Sequence, residues 1–405
     1  MLPEGWRKAS LEDVAEIRSG IARSQKRVEN PITLPYLRVA NVQDGYLDLT
    51  EIRTIEINKA KIDRFSLHIG DVLMNEGGDF DKLGRGDVWR GQITPCLHQN
   101  HVFAVRPDQK ILDSYFLANL SASAYGKGYF LSCAKRSTNL ASINSTQLKQ
   151  FPVLLPPLPE QKKIATILST WDRAIEVTEK LLANSQQQKK ALMQQLLTGK
   201  KRLPGFTGEW DIKRINEISD RIKRTSDGKK HPILMISSSI GFVTQDTKYS
   251  RYMAGESVKK YILLEEGEFA YNKGNSKIYQ FGCVFELRQY KQGLVPNVYV
   301  CFKIKEEQCS EFYRHLFKFD FLKPQLRAIV NSGIRNNGLL NIKPDQFMNT
   351  WVPTPPSPEQ KAIAAVLTTA DEEITAIESD LTRLRQEKKA LLQQLLTGKR
   401  RVKVD

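Results

Sequence analysis

KKALMQQLLTGK at residues 189–200 returns as KKALLQQLLTGK at residues 388–399. The repeat is longer than this closing motif. Aligned without a gap at an offset of 199 residues, Pro156–Lys200 and Pro355–Lys399 are identical at 26 of 45 positions. Both copies open on a proline cluster followed by Glu-Gln-Lys, PPLPEQKKIA and PPSPEQKAIA. Pro159 and Pro358 suit a first helical turn, where a missing N–H costs nothing, and Glu160 and Glu359 follow at once to complement the helix dipole. Gly199 and Gly398 suit the left-handed position just past a helix end, with lysines nearby for the last carbonyls. Each copy is expected to be a helix of ~39 residues, about 58 Å long at ~1.5 Å per residue.

The apolar spacing sets what those helices do. Ile363, Leu367, Ala370, Ile374, Ile377, Leu381, Leu384, Leu391 and Leu395 follow alternating steps of four and three, with Lys388 at the one polar place in the series. The first copy keeps that register through Ile164, Leu168, Trp171, Ile175, Leu182, Leu192 and Leu196, interrupted by Thr178, Ser185 and Lys189. Such alternation makes a coiled-coil seam, and two seams in one chain most simply pack on each other.

The intervening segment selects their direction. About 150 residues fold to a body roughly 40 Å across, which does not bridge a 58 Å helix, so the helices are expected to run antiparallel. The tail also reads into the head: LLTGK continues as KRLPGFTGEW inside the chain, which begins MLPEGW and ends LLTGKRRVKVD. The chain therefore reads as two half-repeats closed into a ring. The expected fold class is α/β (α+β): two globular mixed α/β domains, residues 1–155 and 201–354, separated by two long antiparallel coiled-coil helices, 156–200 and 355–399, in a pseudo-two-fold arrangement. Residues 400–405 form a basic tail.

At 405 residues and 40% apolar content the chain buries substantial cores. Its formal charge of +16 favours polyanionic partners. The opening MLPEGWRKASLEDV lacks the apolar run of a signal peptide, and no stretch approaches ~20 apolar residues, so no membrane span is expected. Five cysteines without paired spacing suit reduced thiols in the cytoplasm.

Period-two runs such as HVFAVR and NVYVCFKI read as strands, and Gly/Asn-rich loops interrupt them: NEGGDFDKLGRGD, KRSTNLASIN, NKGNSKIYQFG and SGIRNNGLLN. IGDVLMNEGG echoes EGEFAYNKGN, so the two halves share a frame and differ in their loops. Residues 1–155 carry 20 basic and 17 acidic residues, and 204–354 carry 23 and 16, so phosphate contact has to come from local patches. Long polar side chains in these loops can chelate base edges. The candidate DNA-binding residues are Lys82, Arg85, Arg136 and Asn139 in the first half, and Lys273, Asn275, Lys277, Arg335 and Asn336 in the second; for any one of them the plain alternative is a solvated loop charge.

Two catalytic or metal readings fail on geometry. Pro344-Asp345 before Glu359-Gln360-Lys361 matches a loose nuclease pattern, but residues two apart on a helix point nearly opposite ways, and the first repeat has Ser145-Thr146 in place of the Pro-Asp pair. CLHQNH clusters Cys96, His98 and His101, yet a strand over Gln99–Val105 would put His98 and His101 on opposite faces, and no second ligand cluster completes a zinc site. No phosphate-binding Gly-x4-Gly-Lys-Ser/Thr loop, dinucleotide glycine turn or Asn-Pro-Pro-Tyr-like run is present, so no cofactor is expected.

The doubled PEQKxIAxxL…KKALxQQLLTGK helices, each after a variable α/β segment, resemble the specificity subunit of type I restriction–modification enzymes. GDVLMNEGGDFDKLGRGDVW and CLHQNHVFAVRP resemble that family's target-recognition domains. The resemblance spans essentially the whole chain. It implies a non-catalytic subunit whose two domains each read one part of a split, asymmetric double-stranded DNA target. The paired helices would fix the separation and dock two methyltransferase subunits, and through them restriction subunits. The alternative is a coiled-coil scaffold whose α/β domains bind proteins or RNA.

Overall fold

A computed structural model of the chain describes residues 2–22, 28–78, 83–136, 141–245, 256–274, 276–330 and 339–404. The two repeats are continuous helices, Leu158–Leu196 and Ser357–Leu395, of 39 residues each. Gly199 and Gly398 lie at φ +69° and +71°, the left-handed conformation expected past the helix ends. There the chain turns back, and Lys201 N–H and Arg400 N–H return to the carbonyls of Gln195 and Gln394 at 3.1 Å.

Two compact units divide the chain: Met1–Glu179 with Ser379–Asp405, and Lys180–Glu378. The cut falls inside both long helices because each globular half shares its core with the helix ends packed on it. In the first unit Ile164, Leu168, Leu395 and Leu396 join one cluster with Phe116, Phe130, Phe151 and Val105. In the second, Met193, Leu196, Ile363 and Leu367 join Phe269, Phe302, Phe312 and Phe347.

Inside each unit the helices are antiparallel. Asp172 pairs with Lys388 and Glu179 with Arg385, so numbers rise on one helix as they fall on the other. In the second unit Lys189 pairs with Asp371, while the later residues Met193 and Leu196 share a cluster with the earlier Ile363 and Leu367. Ile164, Leu168, Ile363, Leu367 and Leu381 are buried. Trp171, Ile175, Leu182, Ile374, Ile377 and Leu384 are half-buried, whereas Val177 and Leu181, off that series, are 59% and 51% exposed.

The globular halves repeat a topology. The first unit has an antiparallel four-stranded sheet in the order Ala15–Ser19, Val102–Pro107, Val72–Asn75, Gly86–Val88. The second has the same arrangement as Ser219–Ile222, Val300–Ile304, Phe269–Asn272, Cys283–Glu286. A two-stranded ribbon ties each half's start to its end: Arg7–Ser10 with Pro152–Leu155, and Asp211–Arg214 with Trp351–Thr354. The halves diverge elsewhere. The first adds a three-stranded sheet of Arg53–Asn58, Pro31–Leu37 and Leu97–His98, while the second has the hairpin Leu234–Ser237 with Gly241–Thr244 and the antiparallel pair Ile262–Glu265 with Gln292–Val295, linked by a parallel bridge between Ile233 and Leu294. Among the described residues no helix is long and apolar enough to cross a membrane.

Candidate nucleic-acid interface

In the first unit the strand Val72–Asn75 runs on through Glu76 into Gly77–Gly78, and this extension is a meeting point of the Gly/Asn-rich loops. Gly78 and Gly77 pair with Ala141 and Ser142, which pair in turn with Arg136 and Lys135. Asn75 N–H donates to the Arg85 carbonyl at 3.1 Å, and its side-chain amide donates to the Val42 carbonyl at 2.8 Å. Glycine suits 77 because a Cβ there would sit 3.2 Å from the Ala141 carbonyl. The fold thus gathers the backbone carrying Arg85 and that carrying Arg136 around one short sheet. Arg85 is half-buried, and its Nε is buried without a hydrogen-bond partner among the described residues. The Arg136 side chain, Lys82 and Asn139 lie outside the described residues.

A third loop reaches the same place. Glu76 N–H donates to the His101 carbonyl at 3.0 Å, and the Glu76 carboxylate meets His101 Nδ1 at 2.5 Å. The expectation of a strand over Gln99–Val105 is corrected here: the strand begins at Val102, and Val102 N–H closes a turn on the Gln99 carbonyl at 2.9 Å. His98 is buried with Nδ1 2.7 Å from the Val102 carbonyl, and burial pushes its pKa down, so it stays neutral. Cys96 and His98 face the interior while His101 is exposed on Glu76, so the three do not converge. The close approach that positions this turn falls on Gly20, where a Cβ would lie 2.1 Å from the His98 carbonyl.

The second unit repeats the junction with different chemistry. Gly274 bridges Leu339, and Leu340 N–H donates to the Lys273 carbonyl at 2.9 Å, as Ile143 N–H does to Glu76 at 2.9 Å. Lys273 therefore takes the place of Glu76, a reversal of charge at matched positions. Lys277 is exposed on the turn from Ser276 to Tyr279. Asn275, Arg335 and Asn336 lie outside the described residues.

Sequence reading missed what the repeated Glu-Gln pair does. Glu160 accepts from Trp6 Nε1 at 3.2 Å and from Nε and Nη2 of Arg401 at 2.7 and 2.9 Å. Glu359 accepts from Trp210 Nε1 at 3.0 Å and from Arg202 at 2.5 and 2.6 Å. Arg202 and Arg401 are one repeat apart, so tail and head together rebuild the internal junction, as the ring reading expects. Glu359 is thereby committed to structure rather than to a nuclease centre. Gln161 accepts from Asp113 N–H and donates to the carbonyls of Ile111 and Pro156, and Gln360 does the same toward Cys309 N–H and Pro355. These amides seat each long helix on its own domain. The sequence held only part of the signal, Arg202 and Arg401 one repeat apart; the burial of the glutamates and their tryptophan partners appears only in the folded chain.

The seam lysines also find carboxylates, Lys189 with Asp371 and Lys388 with Asp172, again one repeat apart. Burial pushes Lys189 down; at Asp371 burial acts most strongly and pushes up, but the Lys189 hydrogen bond together with the charges of Lys318, Lys189 and His315 outweighs it and holds that carboxyl below its usual range. In the second unit the domain helix Ser310–Lys318 adds to this pair: His315 and Arg314 reach Thr368 Oγ1 at 3.1 and 3.3 Å, and Lys318 lies 3.5 Å from Asp371. In the first unit the matching helix Ser114–Ala122 leaves a cleft of about 780 Å³ beside Asp172, lined by Arg90, Tyr115, Asn119 and Lys388.

Residues 3–185 match a family described as the type I restriction modification DNA specificity domain. The chain is 27% identical over 437 aligned residues to the type I restriction enzyme MjaX specificity subunit of Methanocaldococcus jannaschii, covering 99% of this chain and 95% of that one. It is 25% identical over 218 residues to the EcoKI specificity subunit of Escherichia coli, covering 53% of this chain and 46% of that one. Among solved structures, the HsdS subunit from Thermoanaerobacter tengcongensis superposes with a TM-score of 0.54 at 17% identity, covering 98% of both chains. The type I S subunit from M. genitalium gives a TM-score of 0.56 at 12% identity, with 98% of this chain and 97% of that one covered. At such identities the structural likeness speaks for the fold.

Proposed function

We propose, for a chain that belongs to the specificity subunits of type I restriction–modification systems, that it reads a bipartite, asymmetric DNA target with one half-site per domain. As a specificity subunit it carries recognition, and catalysis rests with other subunits. The observation supporting a split target is the contrast inside the chain: one sheet order and one Glu-Gln clamp occur twice, while the loops around residues 76–78 and 273–274 differ in sequence and charge. Two copies of one frame with identical loops would suit a palindrome; copies with unlike loops suit two different half-sites. The base-contacting set is proposed to include Lys82, Arg85, Arg136 and Asn139 in one domain, and Lys273, Asn275, Lys277, Arg335 and Asn336 in the other. The antiparallel helices hold the gap between half-sites and dock two methyltransferase subunits, through which restriction subunits join. The complex works on DNA in the cytoplasm.

The test is an electrophoretic binding series with the methyltransferase subunits present, on duplexes that vary only in the gap. One added base pair displaces a half-site by ~3.4 Å and turns it by about a tenth of a turn, so affinity is expected to fall more than about tenfold, ~1.4 kcal/mol. Binding indifferent to the gap would replace this reading with a protein- or RNA-binding scaffold.

A further inference from the structure

The turn between the strands Leu97–His98 and Val102–Pro107 carries a row of side chains whose hydrogen bonds are directed from one end. The Glu76 carboxylate accepts and does not donate, so the proton between it and His101 Nδ1, 2.5 Å away, sits on the imidazole. On the far side of the ring Asn100 Nδ2, which only donates, lies 3.3 Å from Nε2, so Nε2 accepts. The opposite rotation of the Asn100 carboxamide would set its oxygen against that lone pair. One amide N–H is therefore held by the imidazole, and the other remains beside Oδ1. Asn100 is half-buried, and its Oδ1 is open to solvent and makes no hydrogen bond with the described residues. The backbone is pinned as firmly: Glu76 N–H donates to the His101 carbonyl at 3.0 Å, and Val102 N–H to the Gln99 carbonyl at 2.9 Å.

We infer that Asn100 reads an adenine in the half-site of the first domain, with His101 and Glu76 as positioning residues that fix which way its amide faces. A remaining N–H beside a carbonyl oxygen on one planar amide matches adenine in the major groove, which offers the N7 acceptor next to the N6 donor. Guanine offers two acceptors there, so the amide held this way does not serve it equally. The second domain separates this role from ordinary turn chemistry. Tyr299 N–H closes the matched turn on the Pro296 carbonyl at 3.0 Å, with Asn297 at the place of Asn100. Asparagine suits both turns for backbone reasons. Yet Val298 stands where His101 does, and Lys273 where Glu76 does, so imidazole and carboxylate are present as a pair in one turn and replaced as a pair in the other. The adenine contact rests on the reading given above, that each domain takes one half-site, and assigns a base to a residue within it.

Selection of duplexes from a randomised pool by the full chain with its methyltransferase subunits tests it, followed by affinity measurements on the selected sequence. The unaltered chain is expected to return two half-sites, and Asn100→Ala to relax one A·T pair in one half alone. Exchanging that pair for G·C should weaken the unaltered complex roughly five- to hundredfold and the Asn100→Ala complex less than about twofold. Replacing the adenine by 7-deazaadenine, which lacks the N7 acceptor, should weaken the first complex and not the second. Asn100→Asp keeps a turn-forming side chain but has no N–H for N7, and should lose the same preference. His101→Ala and Glu76→Ala should blunt the preference where Asn100 is present and add nothing to Asn100→Ala; losses that add would overturn their positioning role. Asn297→Ala should leave this pair intact, and the thermal midpoint of each chain alone reports that it remains folded. A bipartite sequence selected unchanged by both Asn100 variants, or a relaxed pair other than A·T, would overturn the adenine contact while leaving bipartite recognition standing. An unaltered complex that selects no bipartite sequence would sink both readings.

Discussion

At the scale of single residues, the buried charges carry the clearest consequences. Glu359 is fully buried and its two oxygens accept from Arg202 and Trp210. Glu359→Gln removes the charge that a bidentate guanidinium requires, so it should lower the thermal midpoint, whereas Glu372→Gln on the exposed surface should not; calorimetry on both variants checks this. His315 is buried and its pKa is depressed from 6.5 to about 4, first by burial and then by the Arg314 charge beside it, with Lys189 and Lys318 acting in the same sense and Asp371 opposing. The folded chain therefore binds fewer protons than the unfolded chain between those values. Its contribution to stability is complete above about pH 6.5 and is lost as pH falls toward 4, amounting to at most about 3 kcal/mol. Urea titrations across that window should flatten for His315→Asn; an unchanged slope would mean that other groups set the pH response.

At the scale of elements, the long helices are held by an apolar seam punctuated with matched ion pairs. Lys189 is only 7% exposed at its place in the seam, where an ammonium without a carboxylate would be costly. Lys189→Met alone leaves Asp371 with the more exposed Lys318, and it should cost about 1–3 kcal/mol, while Lys189→Met with Asp371→Leu should recover much of the loss because both charges go together. A double-mutant cycle by chemical denaturation measures the coupling, and additive effects would contradict the pairing. Leu381→Glu places a charge at a position 6% exposed, with an expected cost of several kcal/mol. In reconstituted complexes it should impair methylation and restriction together if the helix pair docks the methyltransferase subunits as proposed.

At the scale of the whole molecule, the repeated frame predicts modular specificity. If each domain reads one half-site as proposed, exchanging residues 1–155 for the corresponding segment of another type I specificity subunit should alter one half of the recognised sequence. The other half and the gap length should persist, because the second domain and both helices are untouched. Mapping methylated adenines in cells carrying the hybrid reads all three at once. Change in both halves would show that the domains do not read independently.

The long helices were legible because their signals are local: proline and Glu at the start, glycine at the end, and a three-four apolar rhythm between them. The direct repeat exposed the ring-like closure for the same reason, and the alternating strands Val102–Pro107 and Val300–Ile304 stood out by period. What the sequence alone did not disclose depends on residues far apart in the chain. The Glu160 clamp joins positions 6, 160 and 401, and nothing local distinguishes that glutamate from the solvated one at 179. The turn at Gln99–His101 breaks an apparently continuous strand because Glu76, 25 residues away, captures His101 and the chain closes on Gln99. The meeting of the loops beside Arg85 and Arg136 likewise exists only once Gly77–Gly78 pairs with Ala141–Ser142. Periodicity and end chemistry act within a few turns of backbone, so the linear code determines the elements and their repetition. Burial and long-range pairing act only after the chain has folded, and they alone decide which polar side chains hold the frame and which remain free to meet a partner.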